Sequence, residues 1–477
     1  MLAKFAELVY CDRMMNSLDY LNSFQMFTKN PTLKTVGYFV EKLGRPHKKF
    51  KSIYVTGTNG KGSVCETLFA VLTHSGLKVG KFMSPFLIQM NEYIEIGMKG
   101  CEANEDMSVD FENKKRAKSH NPVENYPNSS LNLKAIFSKN QISGGEIEEY
   151  LIDLKPLIEE KQKEGVFVTF WEVITTLACL HFAKHEVDIA IIETGIESPV
   201  DCTNIIDSLV TLITKIDIDH ESLLGNTVEE NMKEVVKSLK PNSVAITANN
   251  LKKVCDIPYL TVESKDSKGY KTPLVGEFQK ENLALCLKCF ETLNQLGFNI
   301  TEEHIHEGLA QTKHRARFET IMISPKVVFD GCHNANAVGA FLEEIKGLKE
   351  SVSIIIALLV DKDISSFMKT FAKGVKKLKS NKVKIVFTAG TEVVVQGGSS
   401  GVFYSSSELM NEYAKHAKEE KHLQIAELPF EDALKNANKN ETTYIIGSFK
   451  TYKKSLEILK TNTFSSSSKE VSQMVFS

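Results

Sequence analysis

No run in the sequence approaches the roughly 18 consecutive apolar residues that a membrane-spanning helix requires, so no spanning segment is expected. Neither sign of charge is in excess: 58 lysines and arginines face 60 aspartates and glutamates, a net charge of −2. That balance gives no electrostatic reason to expect nucleic acid or an anionic membrane as partner. The nine cysteines lack the paired spacing of a metal site or a disulfide framework. The one C-x-x-C, Cys286 to Cys289, falls inside the helical pattern ENLALCLKCFETL, where both thiols face a core. An odd count without a framework suits a reducing compartment, so the expected location is cytoplasmic, with a mitochondrial pool left open. The start, MLAKFAELVYCDRMMNSL, carries Glu7 and Asp12 and lacks a small-residue cleavage site, and it reads as a helix of the mature protein. A G-x-G-x-x-G dinucleotide fingerprint is missing too.

What is present is an ordinary globular composition, 42% apolar and 25% charged, in 477 residues, enough for two or more full cores. One stretch organises the rest: Tyr54 to Ser63, YVTGTNGKGS, a β-branched run ending in a glycine-rich turn before an amphipathic helix to about His74. Gly57, Gly60 and Gly62 let the backbone curl around an anion, with Thr58 and Asn59 between them. The helix start adds unsatisfied N–H groups and its positive dipole end. Lys61 supplies a cation and Ser63 a hydroxyl suited to a phosphate-bound Mg²⁺. The pattern departs from G-x-x-x-x-G-K-[ST], with two residues between glycines and Gly62 before the serine. Lysine and serine at the helix start favour a nucleoside triphosphate, ATP, over a turn that binds nothing.

Downstream, apolar β-rich runs alternate with helical patterns: KVGKFMSP, VDIAIIETG, SLVTLITKIDIDH and KPNSVAIT, then KVVFD, SVSIIIALLV, VKIVFTA, LQIAE and TTYIIGS. Such alternation predicts an α/β protein with parallel sheets covered by helices on both faces. Polar residues at the strand ends, Ser84, Glu193 and the Asp217–His220 group, mark the edge where ligands of such sheets bind. We expect a large N-terminal P-loop domain over 1–312 and a smaller Rossmann-like α/β domain over 313–461, joined at KHRARFE. The polar stretch at about 101–139 reads as an exposed, disordered insertion, and the Ser-rich 462–477 as a mobile tail.

The blocks LGRPHKKFKSIYVTGTNGKGSV, KVGKFMSPFL, FWEVITTLACLHF, DIAIIETG, DCTNI, DIDHESLLGNTVEEN, LVGEFQKENLALCL, RARFE, FDGCHNANA and YIIGSF stand in one order. In them the sequence resembles the dihydrofolate synthase/folylpolyglutamate synthase family of the Mur ligase superfamily. The resemblance implies a ligase. ATP phosphorylates a folate or dihydropteroate carboxylate, and the amino group of L-glutamate attacks the acyl phosphate, releasing ADP and phosphate. It implies Mg²⁺ held by Ser84, Glu193 and His220, with Lys61, Glu193 and His220 serving catalysis. It places Asn282, Arg317, Asp330 and His333 by the nucleotide, with Arg317 reaching phosphate from the second domain. Phe170, Trp171 and Glu172 could line the pterin side, or pack in the core. Folate synthases of this kind are commonly monomers, and a monomer is expected.

Three positions depart from the family. Glu197, Ser198 and Pro199 stand where it usually has Gly-Gly-Arg, while Asp201, Thr203 and Asn204 remain. The position of its carboxylated lysine is Val235, with Lys233 and Lys237 on other faces of the helix. Its Glu-Arg pair is Glu92-Tyr93. Two readings compete: an active ligase with a remodelled metal site, or a divergent, non-catalytic ATP-binding relative. A Mur-type ligase with another acceptor is a third, against which LGRPHKKFKS and DGCHNANA argue.

Overall fold

The computed structural model describes residues 17–461 except 27, 29–30, 100–140, 218–224, 226, 253, 391–400 and 418–421. The expected N-terminal helix up to residue 16, the insertion at 101–139, His220 and the tail 462–477 lie outside the described residues.

The first sheet has seven strands in the order β3-β2-β4-β1-β5-β6-β7. They are β1 (Lys51–Thr56), β2 (Val79–Phe82), β3 (Ile94–Gly97), β4 (Ile189–Glu193), β5 (Val210–Ile213), β6 (Val244–Thr247) and β7 (Tyr259–Thr261). Alternation along the strands divides their side chains between two cores. Tyr54, Phe82, Ala190 and Ile192 pack with the helices Gly144–Lys163 and Phe170–Lys184 on one face. Ile53, Val55, Ile189, Ile191 and Leu212 pack with Lys61–His74 and Gln279–Gln295 on the other.

The second sheet has six strands in the order β12-β11-β10-β13-β9-β8. These are β8 (Glu319–Met322), β9 (Val327–Phe329), β10 (Ser351–Ile356), β11 (Val383–Phe387), β12 (Leu423–Glu427) and β13 (Glu441–Ile446). Neither sheet is wholly parallel: β3 pairs antiparallel with β2, and β8 with β9. Each is a sheet edge joined by a short connection, which only an antiparallel pair allows. Among the described residues no helix is long and apolar enough to cross a membrane.

Because β1 lies between β4 and β5, and β2 beside β4, all in parallel, their carboxyl ends share one edge. The phosphate loop, Ser84, Glu193 and Asp217 are delivered there together. The second sheet brings Asp330 from the end of β9.

Candidate active site

The loop after β1 takes the shape its glycines permit. Gly57 and Gly60 have φ of 110° and 104°, in the left-handed region. A Cβ on Gly57 would stand 2.5 Å from Thr214 Oγ1, and one on Gly60 2.5 Å from Asn282 Oδ1. The Thr58 and Asn59 N–H groups do not face the cleft; they donate to the Lys215 carbonyl at 2.9 and 3.0 Å. The donors left for an anion are the first-turn N–H groups of Lys61, Gly62 and Ser63, which have no acceptor within the helix. Asn282 Nδ2 donates to Gln279 Oε1 at 2.9 Å, and Gln279 Nε2 to Ser63 Oγ at 3.1 Å.

A cavity of about 240 Å³ opens over this helix start between the two sheets. Asn59, Gly60, Gly62, Ser63 and Asn282 form one wall, and Arg317, Asp330 and Phe341 the other. A second hollow, of about 110 Å³, is lined by Ser84, Glu193, Glu66, Lys81, Glu92 and Arg315. Gly62, His314 and Arg317 belong to both walls. A wider hollow beside Phe430 in the second sheet shares none of these residues.

Arg317 is aimed by its neighbours: Ala316 and Phe318 have φ of 57° and 48°, uncommon for residues with a Cβ. The guanidinium lies 4.4 Å from the centre of the Phe449 ring. Asp330 fixes this turn, accepting from the Phe318 and Cys332 N–H groups, both at 2.9 Å. Its carboxylate thus faces backbone donors as well as the cavity, and Asn334, not Asp330, caps the next helix. Burial raises the Asp330 carboxyl above its ordinary value, with Arg317 opposing. His333 lies against Phe449 and outside the cavity wall, its Nδ1 2.9 Å from the Gly331 carbonyl.

The segment expected to hold the metal differs most from expectation. Lys61 is in neither cavity wall. Its Nζ donates to the Gly57 carbonyl and to Glu197 Oε1, both at 2.6 Å. The side chains are 15% and 2% exposed, so this is a buried ion pair on the loop's own lysine. Glu197 is one of the three departures from the family pattern. Asp201 shapes the altered segment: its Oδ2 accepts from Gly195 and Ile196 N–H at 3.0 and 2.8 Å, and its Oδ1 from Thr203 N–H at 2.9 Å. Glu193, at the end of β4, accepts from the Ser84 N–H at 2.7 Å. Burial lifts its carboxyl to about 7, against the pull of Lys61 and the Ser84 N–H.

The other departures are structural. Val235 is buried among Ile213, Ile216, Leu239 and Leu251. Lys233 and Lys237 pair outward with Glu229 and Glu234 at 3.1 and 2.5 Å. Glu92 gathers the N–H groups of Leu87, Ile88 and Gln89 at 2.8, 3.2 and 3.3 Å, and Tyr93 packs against Phe86, Phe170 and Trp171. Phe170 is fully buried and Glu172 caps its own helix through Thr169, so both serve the fold.

His314 is a residue that sequence reasoning missed. Its Nδ1 is 3.1 Å from Ser63 Oγ, and its ring separates the two hollows. Burial, then Arg317 and Lys81, hold it well below the ordinary 6.5, so the folded protein keeps it neutral. Below that value the unfolded chain takes up a proton that the folded one refuses. Stability therefore falls as pH drops, down to the folded value. Urea midpoints measured from pH 7.5 to pH 5 should show this slope, and His314→Gln should flatten it.

The architecture is that of a two-lobed α/β nucleotide-binding protein with its cleft between the lobes. Of the family models compared with the chain, none matches. Among curated proteins, the folylpolyglutamate synthase of Lacticaseibacillus casei is 28% identical over 381 residues, 73% of this chain and 80% of that protein. The dihydrofolate synthase/folylpolyglutamate synthase of Bacillus subtilis is 27% identical over 380 residues, 72% and 79% of the two chains. Among solved structures, the Mycobacterium tuberculosis folylpolyglutamate synthase complexed with ADP and AMPPCP superposes with a TM-score of 0.68 at 20% identity, covering 96% of this chain and 98% of that one. Escherichia coli FolC in complex with DHPP and ADP gives 0.69 at 20% identity, covering 93% and 97%. The curated relatives and solved structures to which the chain is similar are thus dihydrofolate and folylpolyglutamate synthases.

Proposed function

We propose that the protein is an ATP-dependent ligase joining L-glutamate to a folate or dihydropteroate carboxylate through an acyl phosphate, and that it works as a monomer. The observation that carries the reading is the shared wall of Gly62, His314 and Arg317 between the two hollows. A nucleotide lying over the helix start presents its terminal phosphate to the second hollow, where an acceptor carboxylate can meet it in line. The helix N–H groups and Arg317, one from each lobe, hold the phosphates and neutralise charge as it moves onto the departing ADP.

The donors present fit a magnesium ion. Glu193 is a buried carboxylate, and Glu197 Oε2 is buried with no hydrogen-bond partner among the described residues. Ser84 and Glu193 would hold the ion, with His220 as the third expected ligand. When bound, it supplies positive charge to the phosphates. Lys61 has then to exchange Glu197 for phosphate.

That exchange is what a second reading turns on. In a nucleotide-binding relative without turnover, the Lys61–Glu197 pair would stay closed. ADP release with Mg²⁺-ATP and L-glutamate, supplied with dihydropteroate, tetrahydrofolate or neither, separates the two. The ligase requires stimulation by a pterin acceptor; ATP binding with no stimulation by either leaves the second reading. Glu197→Gln frees Lys61 and should tighten ATP binding by about tenfold, roughly 1.4 kcal/mol, in a calorimetric titration.

A further inference from the structure

Away from the cleft, the described residues hold one cluster of three side chains able to share a cation: Glu146, His181 and His185, with donor atoms all within 4.8 Å of one another. His181 lies on the helix Phe170–Lys184 and His185 is its C-cap, four residues apart and so on one face. Glu146 comes from the first turn of Gly144–Lys163, across the helix pair. Its Oε2 is committed to the helix cap, accepting from the Ser143 N–H and hydroxyl at 2.8 and 2.7 Å. Oε1 is turned to the imidazoles, 2.9 Å from His185 Nε2 and 3.8 Å from His181 Nδ1. The Tyr150 hydroxyl stands 3.2 Å from the same Nδ1. Lys184, the nearest cation in sequence, is directed to Glu149 at 2.6 Å.

We propose that Glu146, His181 and His185 form a zinc site that clamps the helix Gly144–Lys163 to Phe170–Lys184. Two imidazoles and one carboxylate, with no thiolate, make a nitrogen-rich set that suits Zn²⁺ and does not suit Mg²⁺ or Ca²⁺. Bonds of about 2.0–2.2 Å to a tetrahedral ion set donors roughly 3.3 Å apart. The two separations from Glu146, 2.9 and 3.8 Å, bracket that spacing and all three donors lie within 4.8 Å of one another, so side-chain rotations close the site. Water takes the fourth position. His181 is 4% exposed and His185 35%, which gives a fixed inner wall and an open outer one.

The anchored carboxylate oxygen orients the ligating one, as outer partners do at zinc sites. None of the three side chains lines either cleft hollow, so the site is separate from the phosphate-transfer machinery.

The test uses the full chain, stripped with a chelator and kept in magnesium, and titrated with ZnCl₂ by calorimetry and with Co²⁺ by absorption. One equivalent of zinc should bind and raise the thermal midpoint, and cobalt should give the visible bands of a four-coordinate ion. His185→Ala should weaken zinc by more than about 100-fold, since losing even an outer partner at such sites costs 10–100-fold. Glu146→Gln, which keeps a capping side chain, should do the same. In both variants ATP binding, measured in magnesium, should be unchanged. Zinc binding that survives in either variant, or none in the wild type, overturns the site.

Discussion

Lys61→Ala lowers acceptor-stimulated ADP release by about 10²- to 10³-fold, the usual cost of removing one preorganised charge or donor from a transition state. On the proposed reading the loss falls on turnover more than on ATP binding, because the N–H groups of the helix start and Arg317 are left to hold the phosphates. A second consequence is particular to this protein. Lys61 is the charge partner of Glu197, whose other oxygen is buried with no hydrogen-bond partner among the described residues. Truncating the lysine strands that carboxylate, so the variant also loses stability, by up to the ~3–5 kcal/mol of a broken buried pair. The double variant Lys61→Ala/Glu197→Gln separates the effects: denaturation midpoints recover while ADP release stays low. A midpoint that does not recover would mean the stranded carboxylate is not the cause of the lost stability. Turnover that returns with the second change would remove Lys61 from catalysis.

Lys81→Met destabilises the first lobe by about 3–5 kcal/mol. Lys81 projects from β2 into the second hollow, 5% exposed, with Nζ 2.9 Å from both Glu66 carboxylate oxygens and 3.0 Å from Glu95 Oε2. Methionine roughly preserves the volume but removes the ammonium that lies 4.4 Å from the Phe69 ring centre, and it leaves the two carboxylates facing each other with Arg315 as the remaining cation of that hollow. Burial already lifts the Glu66 carboxyl above its ordinary 4.5, while Lys81 opposes it. Without Lys81 that folded value rises further. A carboxyl with a raised folded value favours the folded state at low pH and loses that contribution as pH rises through the folded value. Lys81→Met should therefore lie closest to wild type in mildly acid solution and furthest from it near pH 8. Adding Glu66→Gln and Glu95→Gln should restore most of the loss in urea denaturation, since an uncompensated charge, not a missing contact, is its cause.

The parts of the site legible in the sequence are those whose chemistry is local. The glycine turn, Lys61 and the following helix are contiguous, and a strand end announces itself by a polar residue after an apolar run, as at Glu193 and Ser84. Pairings between distant segments were hidden. Glu197 meets Lys61 across 136 positions, and His314 meets Ser63 across 251. The sequence marked Glu197 only as a departure; that its carboxylate would turn onto the phosphate-loop lysine depends on how Asp201 folds the segment. His314 stood in the KHRARFE junction without distinction, because one histidine beside two arginines resembles any basic turn. Asp330 was expected by the nucleotide, and its oxygens also order the turn that carries Arg317. The antiparallel edge β8 was missed for a related reason: ETIM is too short to establish a period.

The division of the nucleotide cavity between the two sheets bears on how the chain comes apart. At about 240 Å³ the cavity is smaller than the roughly 300–1,000 Å³ of most ligand pockets, and half of its lining vanishes if either lobe melts. The lobes touch through polar contacts such as Asn334 Nδ2 to Asn59 Oδ1 at 3.3 Å, and through Ile88, which packs into the apolar cluster of Ala316, Ile321 and Phe329. On the proposed reading ATP adheres to both walls, so its binding should couple the melting of the two lobes and raise the midpoint of the less stable one. The substrate is thus also the mortar of the molecule.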